Sequence, residues 1–332
     1  MPRLTIPAGI DTLLFVPAKL AINLHGLCRA IVSGPEALLK PVAFEFAHHL
    51  VEPDQLGPPD LVIELSLGFA GKPSGRFRAG AWQIELSGLD QPPLRLKFRG
   101  NRLSRFIVSK WIVEPALRYL LTRKGFPPVH STCLTDGDSG VLVAAGATAG
   151  KTTLLLEWLS QGYPFLSDDY TILAPGKALS YVTPLRLGAR NFIETRKIRE
   201  LPLRDRLALL GRTAVRHLLL NKVRFAYKAP VDRIFPGVRL LDEVPLAMVV
   251  ILEREEREGL REIPAEEAAD LIAAVDHHEL HGFDRYLEAA GDPGHQARYR
   301  QEVGKILKGV PCLEAGWSMG AQPILEQLMR EK

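Results

Sequence analysis

A run of small and β-branched residues, VLVAAGATAGKTTLLLEWL (Val141–Leu159), breaks into glycines and then a lysine. Gly146, Ala147, Thr148, Ala149, Gly150, Lys151, Thr152 and Thr153 match the phosphate-binding pattern GxxxxGK[ST], with Ala145 standing where the first glycine would be. The chemistry asks for these residue types. Glycines let successive backbone N–H groups converge on anionic oxygens, and a following helix offers its positive end. Lys151 can then reach the β- and γ-phosphates and Thr152 can ligate magnesium. A glycine-rich turn that binds nothing is the competing reading. Downstream, Asp168 and Asp169 close the apolar run of FLSDDY. Adjacent carboxylates on a strand point to opposite faces unless the strand ends there and turns. Such a pair suits a division of labour between a metal and an attacking nucleophile, as phosphoryl transfer requires; an acidic strand end facing water is the plainer alternative. His130 is either a structural core histidine or a partner of those carboxylates. Arg186 and Arg190, in TPLRLGARN, follow soon after and can serve phosphate, an acidic substrate or only the surface.

These groups need elements to hold them. VLVAA reads as a strand before the loop and TTLLLEWLSQG as the helix after it. His130–Leu134 reads as a second strand, joined to the first through DGDSG, whose Asp-Gly chemistry favours a hairpin. GYPFLSDDYTILAPG is expected to be one strand, and PLAMVVILER the most buried strand of the C-terminal half. PAEEAADLIAAV and GAQPILEQLMREK carry amphipathic helical patterns. In the first third, DLVIELSLG, AWQIELSG and PPLRLKFRGNRL alternate as half-buried strands do. A helix is expected over RFIVSKWIVEPALRYLLTRKG, with Pro115 as a kink and Gly125 as a stop.

With 332 residues, 46% hydrophobic and 24% charged, the chain is an ordinary folded protein of about two units. An α+β domain is expected over residues 1–125 and a catalytic domain over 126–332. Cys28, Cys133 and Cys312 lie far apart with no metal-type spacing, which fits a reduced compartment and a cytoplasmic location. The apolar runs are too short to span a bilayer and the N-terminus lacks a basic region before an apolar block, so neither membrane association nor targeting is expected. A net charge of +4 is too mild to imply nucleic acid. It is uneven, however: Asn191–Leu240 holds 12 Lys/Arg against four acids. RLALLGRTAVRHLLL, inside that segment, reads as an amphipathic helix with its arginines outward. His277, His278, Glu279 and His281 in DHHELH invite a metal reading, and His277 and His281 would share a helix face, but no third ligand is identifiable and the cluster reads as an exposed helix end.

The stretch HSTCLTDGDSGVLVAAGATAGKTTLLLEWLSQGYPFLSDDYTIL (His130–Leu173) resembles the core of the bacterial HPr kinase/phosphorylase family and its HPr-kinase-related paralogues. The resemblance rests on the joint order of histidine, hairpin, phosphate loop, helix and Asp-Asp pair, over about 45 residues of the chain. It implies an α/β fold in which an HPr kinase C-terminal-like P-loop domain with a mixed sheet follows a smaller α+β domain. It implies ATP and Mg2+, with Lys151 on phosphate, Thr152 and Asp169 on magnesium, Asp168 as base and His130 beside it. The implied reaction moves the γ-phosphoryl group to a hydroxyl, a serine of a peptide or protein, as in relatives that tailor ribosomally made peptides such as lasso peptides. A small-molecule kinase and a non-catalytic nucleotide-binding module are the alternatives. PLRLGARNFIET occupies the place of the family's glycine-rich segment, so the reverse, phosphate-driven dephosphorylation is not expected. The resemblance leaves a homo-oligomer open.

Overall fold

The computed structural model describes residues 18–69, 71–146, 150–187, 227–253, 260–280 and 282–316, together with Leu207 and Gly211. It is a mixed α/β protein of two compact units, Met1–Pro128 with Ala269–Lys305, and Val129–Ala268 with Ile306–Lys332. A single boundary after residue 125, expected from the sequence, does not describe this grouping. Residues 269–305 belong with the N-terminal unit because their partners lie there.

The first unit is built on seven strands: β1 (Lys19–Leu24), β2 (Cys28–Ser33), β3 (Leu50–Val51), β4 (Leu61–Leu67), β5 (Gly75–Phe77), β6 (Gly80–Ser87) and β7 (Leu94–Gly100). They lie in the order β3-β1-β2-β4-β7-β6-β5, with β2, β4 and β7 mutually parallel and the remaining pairs antiparallel. The alternation of LRLKFRG puts Leu94, Leu96 and Phe98 into the core and Arg95, Lys97 and Arg99 into water. Helix α1 (Glu36–Glu45) buries Leu38, Leu39 and Val42. The helix expected after β7 is broken into three. Asn101 accepts from Leu103 N and Ser104 N to start a 3-10 turn, Arg102–Phe106; a π-helical turn, Ser109–Val113, follows, and α2 runs over Glu114–Arg123. Pro115 is the second residue of α2 and follows the π-helical turn directly; Val113 and Glu114 keep helical backbone angles, so the helical run continues into the proline with the turn before it widened. Gly125, at φ 83°, supplies the stop. Helix α2 is buried on nearly all sides, so its polar residues need partners: Lys110 Nζ lies 3.0 Å from Glu114, and Arg118 pairs with Asp276.

In the second unit, β8 (Pro128–Val129), β9 (Ser131–Thr135), β10 (Gly140–Ala145) and helix α3 (Lys151–Ser160) lead to β11 (Phe165–Ser167), β12 (Thr171–Ala174) and β13 (Lys177–Leu179). Then come β14 (Leu185–Leu187), β15 (Tyr227–Ala229), a short α4 (Val231–Ile234), β16 (Glu243–Glu253), β17 (Leu260–Glu262) and β18 (Cys312–Gly316). The main sheet runs β11-β9-β10-β16-β13-β12-β8, with β18 also on β16 and β17 on β18. The β9–β10 hairpin forms as its sequence suggests. Asp136 Oδ1 accepts from Asp138 N at 2.9 Å and Ser139 N at 3.1 Å, and Gly137 takes φ 111°. On its other edge β10 is parallel to β16, which places the PLAMVVIL run at the centre of the sheet. GYPFLSDDYTILAPG is not one strand but two, interrupted at Asp168–Tyr170. Helix α3 buries Leu154, Leu155, Leu156, Trp158 and Leu159 against Val141, Val143, Met248 and Val250. Trp158 stacks on Tyr163 at 3.9 Å and donates from Nε1 to Thr135 O at 2.8 Å.

Helices α5 (Ala265–Glu279), α6 (Asp284–Ala289) and α7 (His295–Leu307) complete the described elements. Asp276, His277, His278 and Glu279 form the end of α5, with His277 and His278 exposed and Asp276 buried, and His281 lies outside the described residues. The C-terminal helix expected over GAQPILEQLMREK and, but for two residues, the basic RLALLGRTAVRHLLL segment lie outside the described residues. Among the described residues no helix is long and apolar enough to cross a membrane.

Candidate functional site

The elements meet at the C-terminal end of β10. Ala145 is still extended there, paired with Leu252 in parallel register, and its Cβ belongs to the buried core. The position therefore asks for no glycine freedom, and the departure from the phosphate-loop pattern is absorbed by the strand. Gly150 does need it: at φ 93° it takes the left-handed conformation immediately before α3. Ala147, Thr148 and Ala149 lie outside the described residues, whereas Gly146, Gly150, Lys151, Thr152 and Thr153 are described. With Lys151 as the first residue of the ten-residue α3, the helix presents its positive end at the loop. Lys151 is 7% exposed, and its Nζ donates to Ala145 O at 2.5 Å and to Gly146 O at 3.4 Å.

Across from the helix start stands the break between β11 and β12. Asp169 takes φ 67°, a left-handed turn that asparagine and aspartate tolerate better than most side chains. The strand thus ends and turns, so the two carboxylates are not fixed on opposite faces of one strand. Thr152 Oγ1 donates to Asp168 Oδ2 at 3.3 Å, which joins the first turn of α3 directly to the strand break. Asp169 Oδ2 lies 2.9 Å from Arg186 Nε, carried by β14. The structure thus sets Thr152 against Asp168, not Asp169, and gives Arg186 a carboxylate partner. Arg190 lies outside the described residues.

Asp168 is 3% exposed and its Oδ1 is buried with no hydrogen-bond partner among the described residues. Burial, followed by the negative charge of Asp169, raises its carboxyl to about 7, against the opposing pull of Lys151 and Thr152. His130, 8% exposed, sits edge-on to Tyr170 with ring centres 5.3 Å apart. The next residue ties this strand to the turn, since Ser131 N donates to Asp169 O at 3.2 Å. A set of hydroxyls not singled out from the sequence surrounds the strand break. Ser131 Oγ is 2.9 Å from Thr171 Oγ1, which is 2.7 Å from Ser167 Oγ, while Thr132 Oγ1 donates to Ser167 O at 3.0 Å. All four are buried. Their signal in the sequence is the density of Ser and Thr, HSTC and SDDYT, within otherwise apolar strands.

No family model matches the sequence, and no curated protein matches it. Among solved structures, the Hpr(Ser) kinase/phosphatase from Coxiella burnetii aligns with 49% of this chain and 95% of its own, at 13% identity and a TM-score of 0.26. That likeness is too slight to bear on the site, whose reading rests on its own residues.

Those residues fit a magnesium–nucleotide. A hydroxyl, two carboxylates and a lysine stand at a helix N-terminus, and one buried carboxylate oxygen has no hydrogen-bond partner among the described residues. No group of three or more His, Cys, Asp or Glu among the described residues could cage a metal alone.

Proposed function

We propose that the second unit binds ATP with Mg2+ and transfers the γ-phosphoryl group to a hydroxyl, a serine of a peptide or protein. The observation that carries the reading is the contact between Thr152, in the first turn of α3, and the buried Asp168, because it brings a phosphate-binding helix end and a carboxyl near neutrality into one site. Lys151 would leave the Ala145 and Gly146 carbonyls for the β- and γ-phosphates. Thr152 and Asp169 would hold magnesium, which supplies charge neutralisation on the transferring group. Asp168 would accept the acceptor's proton at Oδ1, and a base whose pKa lies near 7 suits that task. Arg186 neutralises Asp169 in the nucleotide-free chain. Three buried free cysteines agree with a reducing, cytoplasmic setting. The acceptor is a peptide or protein on the resemblance of the motif order; neither nucleic acid nor membrane has a place in this reading.

Incubation with γ-labelled ATP, Mg2+ and candidate peptides tests it, with the label expected on a serine. Lys151→Ala is expected to lower nucleotide affinity or turnover by roughly 10²–10³-fold, the range for removing one preorganised donor from a transition-state site. Equal activity of that variant would end the phosphate-loop assignment. Tight ATP binding without transfer to any acceptor would favour a binding module instead.

A further inference from the structure

Five large apolar side chains are exposed among the described residues, and four of them, Leu67, Phe77, Leu103 and Phe106, belong to one end of the first unit's sheet. Strand pairing brings them together. Leu67, the last residue of β4, pairs with Gly100 at the end of β7, and Gly100 pairs with Trp82 of β6. Phe77, at the end of β5, pairs with Gly80, and a Cβ on Gly80 would lie 3.2 Å from Phe77 O and 3.7 Å from Leu103 O. Asn101 staples the 3-10 turn to the β5–β6 connection by donating to Ala79 O at 2.7 Å. Phe77 rests on Trp111 with ring centres 4.5 Å apart, so the aromatic surface continues inward. Phe106 is 70% exposed and belongs to this cluster, and it is a contiguous exposed apolar patch, not a lone side chain, that marks an interaction surface.

The charges around this patch are mostly positive. Residues 67–113 contain nine Lys/Arg and two acids. Arg76, Arg78, Arg102 and Arg105 are all exposed; Arg78 lies 5.2 Å over Phe77 and Arg105 4.7 Å over Phe106. The patch also borders a sheet edge. β5 is the terminal strand: past Trp82 the edge of β6 is met by the preceding chain, with Ile84 N donating to Ser74 Oγ and Gln83 Nε2 to Lys72 O, both at 3.0 Å, whereas the outer side of β5 (Gly75–Phe77) pairs no further strand among the described residues.

From the exposed aromatics, the arginine fringe and the open edge together we infer that this end of the first unit docks an extended acidic peptide segment bearing apolar side chains. Backbone groups of such a segment can add to the outer edge of β5, its apolar side chains cover Phe77, Leu103 and Phe106, and its carboxylates meet Arg76, Arg102 and Arg105. The inference stands apart from the phosphoryl-transfer reading, since none of these residues lies in the second unit.

Selection of a displayed library of short random peptides on the full-length chain tests it. Enrichment of Asp and Glu alternating with aromatic or aliphatic residues is expected, followed by direct binding measurements on the enriched peptides. Arg102→Gln with Arg105→Gln is expected to weaken them about tenfold or more, and Phe106→Ser comparably, while circular dichroism and thermal unfolding stay near those of the parent because the residues are exposed. Weaker binding at raised salt is expected as well. Enrichment without acidic residues, or binding unaffected by these substitutions, would overturn the inference. So would absence of peptide binding together with sedimentation on phosphatidylserine-containing vesicles, which would make the patch a membrane contact, or self-association abolished by Phe106→Ser, which would make it an interface between copies.

Discussion

Asp168 carries a carboxyl pushed up to about 7 from 3.8 by burial and by Asp169, so ionising it in the folded chain costs free energy that the unfolded chain does not spend. Between those two values the folded state holds a proton that the unfolded state has released. Stability therefore falls as pH rises through that window and levels off above about 7, the reverse of a salt-bridged carboxylate. Asp168→Asn removes the penalty. We expect the nucleotide-free variant to melt above the parent at pH 8, by at most on the order of 4 kcal/mol, and the gap to close as pH falls towards 4. The same variant should lose transfer while still binding nucleotide. Thermal scans across pH on both proteins check this; a variant that is inactive and no more stable at pH 8 would show that the carboxyl is not held near neutrality.

Helix α3 is where packing and chemistry share residues. Its N-terminus serves the loop, while its buried face, Leu154, Leu155, Leu156, Trp158 and Leu159, fixes the direction in which that terminus points. Trp158 is the strongest tie, because its indole both stacks on Tyr163 and donates to Thr135 O of β9. Trp158→Phe should cost about 1 kcal/mol for the lost hydrogen bond, and Trp158→Ala about 3–5 kcal/mol for the emptied volume. Denaturant unfolding measures both. If nucleotide affinity falls with stability in the alanine variant and not in the phenylalanine one, packing of α3 sets the loop's aim. The β11–β12 break is the second such element. Asp169 in a left-handed conformation interrupts an apolar run that period alone would continue, and the buried hydroxyls of Ser131, Thr132, Ser167 and Thr171 satisfy polar groups around the interruption.

At the level of the whole chain, the first unit is closed by a segment far away in sequence. Asp276 meets Arg118, Asp292 Oδ2 accepts from Tyr119 OH at 2.8 Å, and Tyr286 OH accepts from Trp82 Nε1 at 3.1 Å. A fragment of residues 1–128 strips Arg118 of Asp276 inside a low-dielectric core, a loss worth about 3–5 kcal/mol for a broken buried pair. We expect that fragment to lack cooperative unfolding and near-ultraviolet circular dichroism. Joining residues 269–305 to it through a short flexible linker should restore both. A fragment of residues 1–128 that folds cooperatively alone would show the returning segment to be dispensable.

How much of this was legible beforehand follows from the range of the forces involved. Gly150, Lys151 and Thr152 are contiguous, and a helix start preceded by a left-handed glycine is a local backbone matter, so the start of α3 is readable from residue types alone. The same holds for the Asp136 turn and for the alternation of β4, β6 and β7, where each residue's face depends only on its neighbours. The partner of each side chain is another matter. Arg186 was open between phosphate, acidic substrate and surface, and chain folding gives it Asp169; Thr152 reaches Asp168 because β11 pairs with β9 beside the helix. Residues 269–305 carry ordinary helical patterns that suit either unit, and only the buried Arg118 and Tyr119 select one. An apolar side chain likewise announces burial in the sequence, yet Phe77, Leu103 and Phe106 stay in water, because burial is decided by what packs over a residue, and that is a property of the assembled sheet.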